Sequence, residues 1–221
     1  MSPKRADGAV RTAFIETAAQ LIATEGSSGL TLRRVADQVG TSTMAVYTHF
    51  GGMNELRLEV RREGFARLGQ HLAGVENTED PVADLTLLGW AYYLNATTNP
   101  NLYRAMFMEL PVDEVDEPLG IETFERLVEG VRRCIDARRF RPQDPVHMAT
   151  QLWSLAHGIA SLQLAGFLEP DRALATFADA SLALERAFGD RPKASDASLA
   201  LARRRLGLDG DELVAGEHRS A

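Results

Sequence analysis

The chain has very little of several features that would assign it to a large class of proteins. One cysteine, Cys134, is present among 221 residues, which excludes an internal disulfide and a cysteine cage for zinc. We expect Cys134 to be a small core residue. No apolar run approaches the roughly 18 to 20 residues that span a bilayer, and residues 1–8 lack the apolar stretch of a secretory signal. We therefore expect no membrane partner and a cytoplasmic location.

Signatures of catalysis are also missing. The sequence has no glycine-rich phosphate loop at a strand-to-helix turn and no nucleophile elbow. The acidic stretch 109–120 contains two prolines and is predicted to be an exposed loop, which cannot hold paired carboxylates for acid–base catalysis. The histidines do not have the spacing of metal ligands. We therefore expect a protein that is not an enzyme and needs no cofactor.

Strand signals are nearly absent, because no stretch alternates β-branched or aromatic residues with polar ones. Apolar residues instead recur at helical spacing almost throughout the chain. This periodicity predicts an all-α fold. Glycines, prolines and polar turns separate the predicted helices, which cover about 8–25, 32–39, 43–50, 53–75, 81–95, a short segment after 100, 121–137, 145–167 and 170–188.

Charge is distributed unevenly along the chain. The net charge is −7, which by itself argues against a nucleic-acid partner. Residues 1–70, however, contain nine Lys or Arg against seven Asp or Glu, a balance of +2, and the remainder has a balance of −9. An arm with Lys4, Arg5 and Arg11, together with Arg33 and Arg34, is therefore placed to face a duplex while the acidic part points away.

Residues 31–50 have the pattern of a helix-turn-helix, in which two short helices are joined by a turn at Gly40. Thr31 is the predicted N-cap of the first helix, and Thr41 or Ser42 offers a hydroxyl N-cap to the second. Small or apolar residues stand where the helices must touch: Ala36, Val39 and Val46. The DNA major groove, roughly 12 Å wide, accepts one such helix. Two short helices alone are equally compatible with a purely structural corner.

More than a dozen positions agree in order with a known pattern. They are Ala18-Ala-x-Leu21-Ile22, Gly26 and Thr31-x-Arg33-x-Val35-Ala36-x-x-Val39-Gly40-x-Ser42-x-x-Ala45-Val46-Tyr47-x-His49-Phe50, with Leu56 following. The pattern resembles the N-terminal signature of the TetR family of transcriptional regulators. The segment Trp153-x-x-x-His157-Gly158 is similar to the C-terminal domain of the subgroup of that family named WHG for these letters.

The resemblance implies a sequence-specific regulator that binds double-stranded DNA as a homodimer, and we expect a repressor that a small-molecule effector releases from a pseudo-palindromic operator. It implies that seven residues face DNA: Arg33, Ser42, Thr43, Met44, Tyr47, Thr48 and His49. Tyr47 and His49 would mostly hold phosphates, and the others would include the contacts to base edges. Met53 departs from the family, which often has a phosphate-binding lysine there, so we expect a weaker contact.

Three domains follow from this reading. Residues 1–52 are the basic arm and a three-helix DNA-binding domain, and 53–189 are a helical bundle for ligand binding and dimerisation. Residues 190–221 are a polar tail that we predict to be flexible, with at most a loose helix near 198–206. The helix at 145–167 has apolar residues on two faces, which indicates two partners, its own core and a second subunit.

Aromatic side chains in the bundle are candidates to line a pocket for a small apolar or aromatic effector. They are Trp90, Tyr93, Tyr103, Phe107, Phe124, Trp153 and His157. A core position is the simpler alternative for each aromatic residue, and a packed, hydrogen-bonded histidine is the simpler alternative for His157.

One further alternative to the regulator stays open at this point. The chain could be a helical interaction or ligand-binding module that has lost DNA binding. A titration with duplex DNA distinguishes the two, because a regulator binds DNA with a strong dependence on salt.

Overall fold

A computed structural model describes residues 3–108 and 119–207. Within these ranges every regular element is helical, which confirms the predicted all-α fold. The acidic stretch at 109–118 and the residues after 207 lie outside the described ranges. The helices are α1 Pro3–Glu25, α2 Leu32–Val39, α3 Thr43–Phe50, α4 Met53–Ala73, α5 Pro81–Thr98, α6 Pro100–Met108, α7 Ile121–Asp136, α8 Pro145–Leu164, α9 Pro170–Phe188 and α10 Pro192–Arg205, with one 3₁₀ turn at Ser27–Gly29.

The helix bounds are close to those predicted, and the main difference at the start of the chain is in α1. This helix begins at Pro3 and not near Gly8. The segment predicted to be a basic arm is therefore the first part of α1. Proline is well suited to a first helical position, because its missing N–H would have no partner there. No helix in the two described ranges is both long enough and apolar enough to cross a membrane.

Unit 1 consists of the described residues of Met1–Gln70 and Thr98–Ile121. In it α1 packs against α2 and α6, and α2 packs against α3. Leu56 and Val60 from α4, with Leu102 and Ala105 from α6, are buried in one apolar cluster with residues of α1, α2 and α3. A domain boundary between residues 52 and 53 is therefore wrong, because it would divide this core.

Unit 2 consists of His71–Thr97 and the described residues of Glu122–Ala221. In it α8 packs against α9, and α9 packs against α10. Helix α5 is buried on nearly every side. Cys134 is fully buried in α7, which confirms the core position expected for it, and this burial raises the pKa of its thiol. The thiol is therefore protonated at neutral pH.

The described part of the predicted tail is ordered, so the prediction of a flexible segment is wrong for residues 190–207. Helix α10 buries Ser195, Ser198 and Ala202. Ser198 donates a hydrogen bond of 2.8 Å to the Asp80 carboxylate. The polar composition of this segment predicted solvation, whereas several of its polar groups make hydrogen bonds and ion pairs inside unit 2.

Ion pairs to buried carboxylates join several elements of unit 2. Helices α7 and α10 both pair with α5, and the turn after α7 pairs with the loop before α10. Arg139 forms a bidentate ion pair with the buried Asp190. Its Nε and Nη2 atoms donate to the two carboxylate oxygens at 2.6 and 2.7 Å. Arg205 donates to Asp84 at 2.8 Å, and Arg133 donates to the same carboxylate at 3.0 Å. Burial alone would raise the pKa of Asp84, but these donors and the two hydrogen bonds from Thr78 outweigh burial and lower the pKa.

Candidate nucleic-acid interface

The ends of α2 have the features that the sequence predicted. The Thr31 hydroxyl accepts a hydrogen bond of 3.3 Å from the backbone N–H of Arg34 and so caps the helix. Gly40 has φ of 74° and ψ of 37°, a left-handed conformation that L side chains rarely adopt. The N–H of Thr41 then donates to Ala36 O at 2.9 Å, which closes the turn between α2 and α3.

The inward side of α3 is held against α1 by aromatic contacts. Val46 and Phe50 are buried, and the ring of Phe50 meets that of Phe14 edge-on, with centroids 5.8 Å apart and planes at 85°. The guanidinium of Arg11 lies 5.3 Å from the centre of the Phe50 ring, a cation–π contact. Because α3 has only eight residues, these contacts decide which of its sides faces outward.

The outward side of α3 carries the residues predicted to contact DNA. Thr43, Met44, Tyr47 and Thr48 are exposed, and the exposed fraction is 69% for Met44 and 48% for Tyr47. Ser42 is also exposed at the N-cap position of α3. Among the residues the structure describes, its hydroxyl makes no capping hydrogen bond, so the predicted hydroxyl cap is wrong for Ser42.

His49 is the predicted contact whose placement differs from the rest. Its side chain is 13% exposed and lies between the rings of Phe14 and Phe50, with centroid distances of 5.7 and 6.1 Å. Its Nε2 atom is 3.5 Å from the carboxylate of Asp7 on α1. His49 therefore faces the core and α1, because the aromatic rings offer it a packed site, and the structure does not bring it together with the exposed residues of α3.

Arg33 and Arg34, which were both expected to face a duplex, differ in exposure and in the partners of their side chains. The side chain of Arg33 is 88% exposed and makes a loose ion pair of 3.8 Å with Asp37. Arg34 pairs instead with Glu25 and donates to the Gly29 carbonyl at 3.2 Å, and its expected position facing a duplex stays a prediction. The side chains of Lys4 and Arg5 lie outside the described parts of the chain.

Met53 is the first residue of α4 and is partly buried against the core cluster of unit 1. The family position that often holds a phosphate-binding lysine is thus used here for packing. The predicted weaker phosphate contact stays a prediction.

The aromatic candidates for an effector site belong to both units of the chain. In unit 1 the Phe107 ring contacts the rings of Tyr103 and Phe65, with centroids 5.1 and 6.1 Å away. In unit 2, Trp90 and Tyr93 pack around Phe177, with Trp90 5.4 Å from the Phe177 ring. A separate row in unit 2 consists of Phe124, Trp153 and His157, with centroids 6.0 and 5.8 Å apart.

Polar atoms accompany the aromatic residues of unit 2. Tyr92 and His157 share a hydrogen bond of 2.9 Å at Nδ1, which confirms a packed, hydrogen-bonded histidine, and burial lowers the pKa of His157. Tyr93 donates to Gln163. The buried Nε1 of Trp90 has no hydrogen-bond partner among the described residues.

Sequence reasoning missed Tyr92, Gln163 and Phe177. A helical stripe could have indicated Phe177, but nothing in the sequence pairs Tyr92 with a residue 65 positions later. Within residues 3–108 and 119–207, no three His, Cys, Asp or Glu side chains are grouped so that they could hold a metal ion.

Comparisons with known proteins match both halves of the chain. The family described as bacterial regulatory proteins, tetR family, matches residues 14–60, and the tetracyclin repressor-like C-terminal domain matches residues 85–187. An uncharacterized HTH-type transcriptional regulator of Mycobacterium tuberculosis, Rv0681, is 26% identical over 79% of each chain. The HTH-type transcriptional repressor DrrR1 of Streptomyces coeruleorubidus is 34% identical over 48% of this chain and 36% of its own.

A solved structure of similar fold is that of AibR in complex with isovaleryl coenzyme A and operator DNA. It has a TM-score of 0.66 and 17% identity, and the match covers 82% of this chain and all of that one. The helix-turn-helix with its exposed α3, followed by a helical bundle, defines a DNA-binding transcriptional regulator. The chain belongs to the TetR family of these regulators.

Proposed function

We propose that this regulator is a repressor that binds a pseudo-palindromic operator as a homodimer and is released by a small apolar or aromatic effector. The observation that carries the proposal is the orientation of α3. Phe14 and Phe50 fix its inward side, and Thr43, Met44, Tyr47 and Thr48 are exposed, as is Arg33 on α2. A rigid helix with one exposed side is what the major groove accepts.

The homodimer is proposed on the apolar surface of α8. Leu155 is half-buried and Leu162 is exposed, and their spacing of seven residues puts them on one face of the helix. Gly158 lies between them, and a Cβ at this position would meet nothing within 4 Å. Such a face permits close approach of a second subunit, and a dimer places two recognition helices roughly 34 to 36 Å apart, one turn of DNA.

The effector site is proposed among the aromatic side chains of unit 2. Trp90, Tyr93 and Phe177 supply apolar surface, and the Trp90 N–H supplies a buried donor for an acceptor on the ligand. The other group in unit 2 is a second candidate for the lining of the effector pocket. It consists of Phe124, Trp153 and His157. AibR was solved with a coenzyme A thioester and operator DNA, which supports a ligand that regulates DNA binding in a protein of this fold.

The proposal is tested by selecting duplexes from a random library with the full-length protein and measuring affinity by fluorescence anisotropy. Selected sequences should contain two related half-sites one DNA turn apart, and binding should weaken steeply as salt rises. A Thr43→Asp/Tyr47→Asp protein should lose this binding, because two carboxylates would face the phosphates. A matched control is the Arg132→Asp protein, which makes the same change of two charge units at an exposed position of α7 and should bind as the wild type does. A protein that enriches no sequence at low salt would contradict the proposal.

A further inference from the structure

The outward side of α3 has an unusual chemical character for a surface that contacts DNA. Helix α3 has the sequence TMAVYTHF and contains no Arg, Lys, Asn or Gln. Those are the side chains whose paired hydrogen bonds distinguish guanine and adenine in the major groove. The apolar side chain of Met44, on this side of α3, is 69% exposed, compared with 48% for Tyr47.

Two of the remaining polar groups of α3 are engaged within the protein. The Thr48 hydroxyl donates to the carbonyl of Met44 in the same helix at 2.9 Å. The imidazole of His49 is turned toward Phe14, Phe50 and Asp7. The exposed residues on the outward side of α3 are therefore Met44, which is wholly apolar, Tyr47, and the two threonines Thr43 and Thr48, each of which also has a methyl group.

The major groove has one apolar feature that such a surface can contact, which is the C5-methyl group of thymine. We infer that α3 selects its operator by packing Met44 against thymine methyl groups, with Thr43 and Thr48 as neighbouring apolar contacts. Met44 is in the first turn of α3, and the first turn of a recognition helix is the part that contacts base edges. The inference rests on the proposed function, since it requires that α3 enters the groove.

Replacing thymine by deoxyuridine tests the inference, because this change removes the methyl group and leaves base pairing intact. Each thymine of the selected operator is replaced in turn, in both half-sites, and affinity is measured by anisotropy. At one or two positions in each half-site, affinity should fall about fourfold for each methyl group removed. This is the contribution to affinity expected from burying a group of that size away from water. Replacement at the same position of both half-sites should multiply the two effects.

The Met44→Ala protein identifies the side chain responsible. It should bind the thymine operator more weakly than the wild type and should bind the thymine and deoxyuridine duplexes almost equally at the sensitive positions. The control is Leu94→Ala, which shortens an exposed apolar side chain of unit 2 and should keep the full thymine preference.

Two results would overturn the inference while leaving sequence-specific DNA binding intact. One is a selected operator that every deoxyuridine duplex matches in affinity, and the other is an operator with no thymine in its half-sites. A Met44→Ala protein that keeps the full preference for thymine would also overturn it, because another residue would then make the contact. If the wild-type protein bound no duplex at all, the result would contradict the proposed function as well as the inference.

Discussion

The ring of Phe50 on α3 meets the ring of Phe14 on α1 edge-on, with their centroids 5.8 Å apart. Both residues are buried in the core of unit 1, and Arg11 covers the Phe50 ring. Helix α3 is too short to be stable alone, so its orientation depends on contacts of this kind. The contact between these rings therefore links the apolar core of unit 1 to the orientation of the exposed side of α3.

The first prediction concerns this contact. Phe50→Leu removes the edge-on ring and the cation–π partner of Arg11, and it should lower the free energy of unfolding by roughly 1 to 2 kcal/mol. Operator affinity should also fall, because α3 is then held less firmly. Urea denaturation and anisotropy measure the two effects. Phe167→Leu changes an exposed ring of unit 2 and should alter neither quantity, and a destabilised Phe50→Leu protein with undiminished affinity would show that this contact does not orient α3.

The second prediction concerns Arg33 on α2, whose side chain is almost fully exposed. Arg33→Ala should weaken specific binding by about 1 to 3 kcal/mol if the guanidinium contacts a base. If it holds a phosphate, all duplexes should lose affinity alike and the salt slope should fall by about 1. Arg132→Ala in α7 removes another arginine in an exposed ion pair, with its side chain 53% exposed, and is the control. Equal binding of the Arg33 and Arg132 variants at every salt concentration would exclude Arg33 from the interface.

The third prediction concerns Met53 at the start of α4. Met53→Lys should tighten binding to DNA in general, since it adds a cation where the family often has one. Because Met53 is partly buried against the core of unit 1, the same change should lower the stability of the protein by about 1 kcal/mol. Met53→Leu keeps the packing without the charge and should change neither affinity nor salt dependence. If the lysine variant binds DNA no more tightly, the start of α4 does not face the phosphates.

The helix-turn-helix was predictable from sequence because its determinants are local. Thr31 and Gly40 act on the backbone within a few residues of themselves, and apolar spacing marks the inward residues Val46 and Phe50. His49 was not predictable in this way, since its environment depends on Phe14, which is 35 positions away on another helix.

Helix α10 shows the same limit of sequence reasoning. Its polar residues resemble those of a solvated tail, and only the folded chain shows that Ser198 contacts Asp80 and Arg205 contacts Asp84. Long-range ion pairs leave no periodic signal in a sequence, whereas apolar periodicity does.

The fourth prediction concerns the buried pair between Arg139 and Asp190. The Asp190 side chain is almost completely buried, so Arg139→Met should leave an uncompensated charge and cost about 3 to 5 kcal/mol of stability. Arg132→Met breaks the exposed pair with Glu129 and should cost less than about 1 kcal/mol. Adding Asp190→Leu to the Arg139 variant should restore much of the loss. Equal denaturation midpoints for the Arg139 and Arg132 variants would show that the pair does not stabilise unit 2.

The fifth prediction concerns Glu185, which is buried and accepts a hydrogen bond of 2.8 Å from Thr86. Burial raises the pKa of Glu185 to about 8, with the charges of Asp190 and Asp80 adding to the effect and Arg139 opposing it. The folded state therefore holds the proton more tightly than the unfolded state. This contribution to stability is complete below pH 4.5, the ordinary value, and is lost as pH rises through about 8.

The check is urea denaturation of the wild type and the Glu185→Gln protein between pH 5 and pH 9. The wild type should lose stability relative to the variant as pH rises, with a difference in slope of at most about 1.4 kcal/mol per pH unit. Parallel curves for the two proteins would mean that Glu185 is ionised in the folded state throughout this range.

The most direct test of the account is a disulfide cross-link between position 44 and a base of the operator. The native Cys134 is buried, so the Met44→Cys protein has an accessible thiol on α3, which can react with a thiol-tethered base in the major groove of the half-site. We predict a cross-link for this protein and none for the Ser154→Cys protein, whose thiol is on α8. A Met44→Cys protein that binds the operator but cross-links to no base in either half-site would contradict the claim that the outward side of α3 contacts DNA.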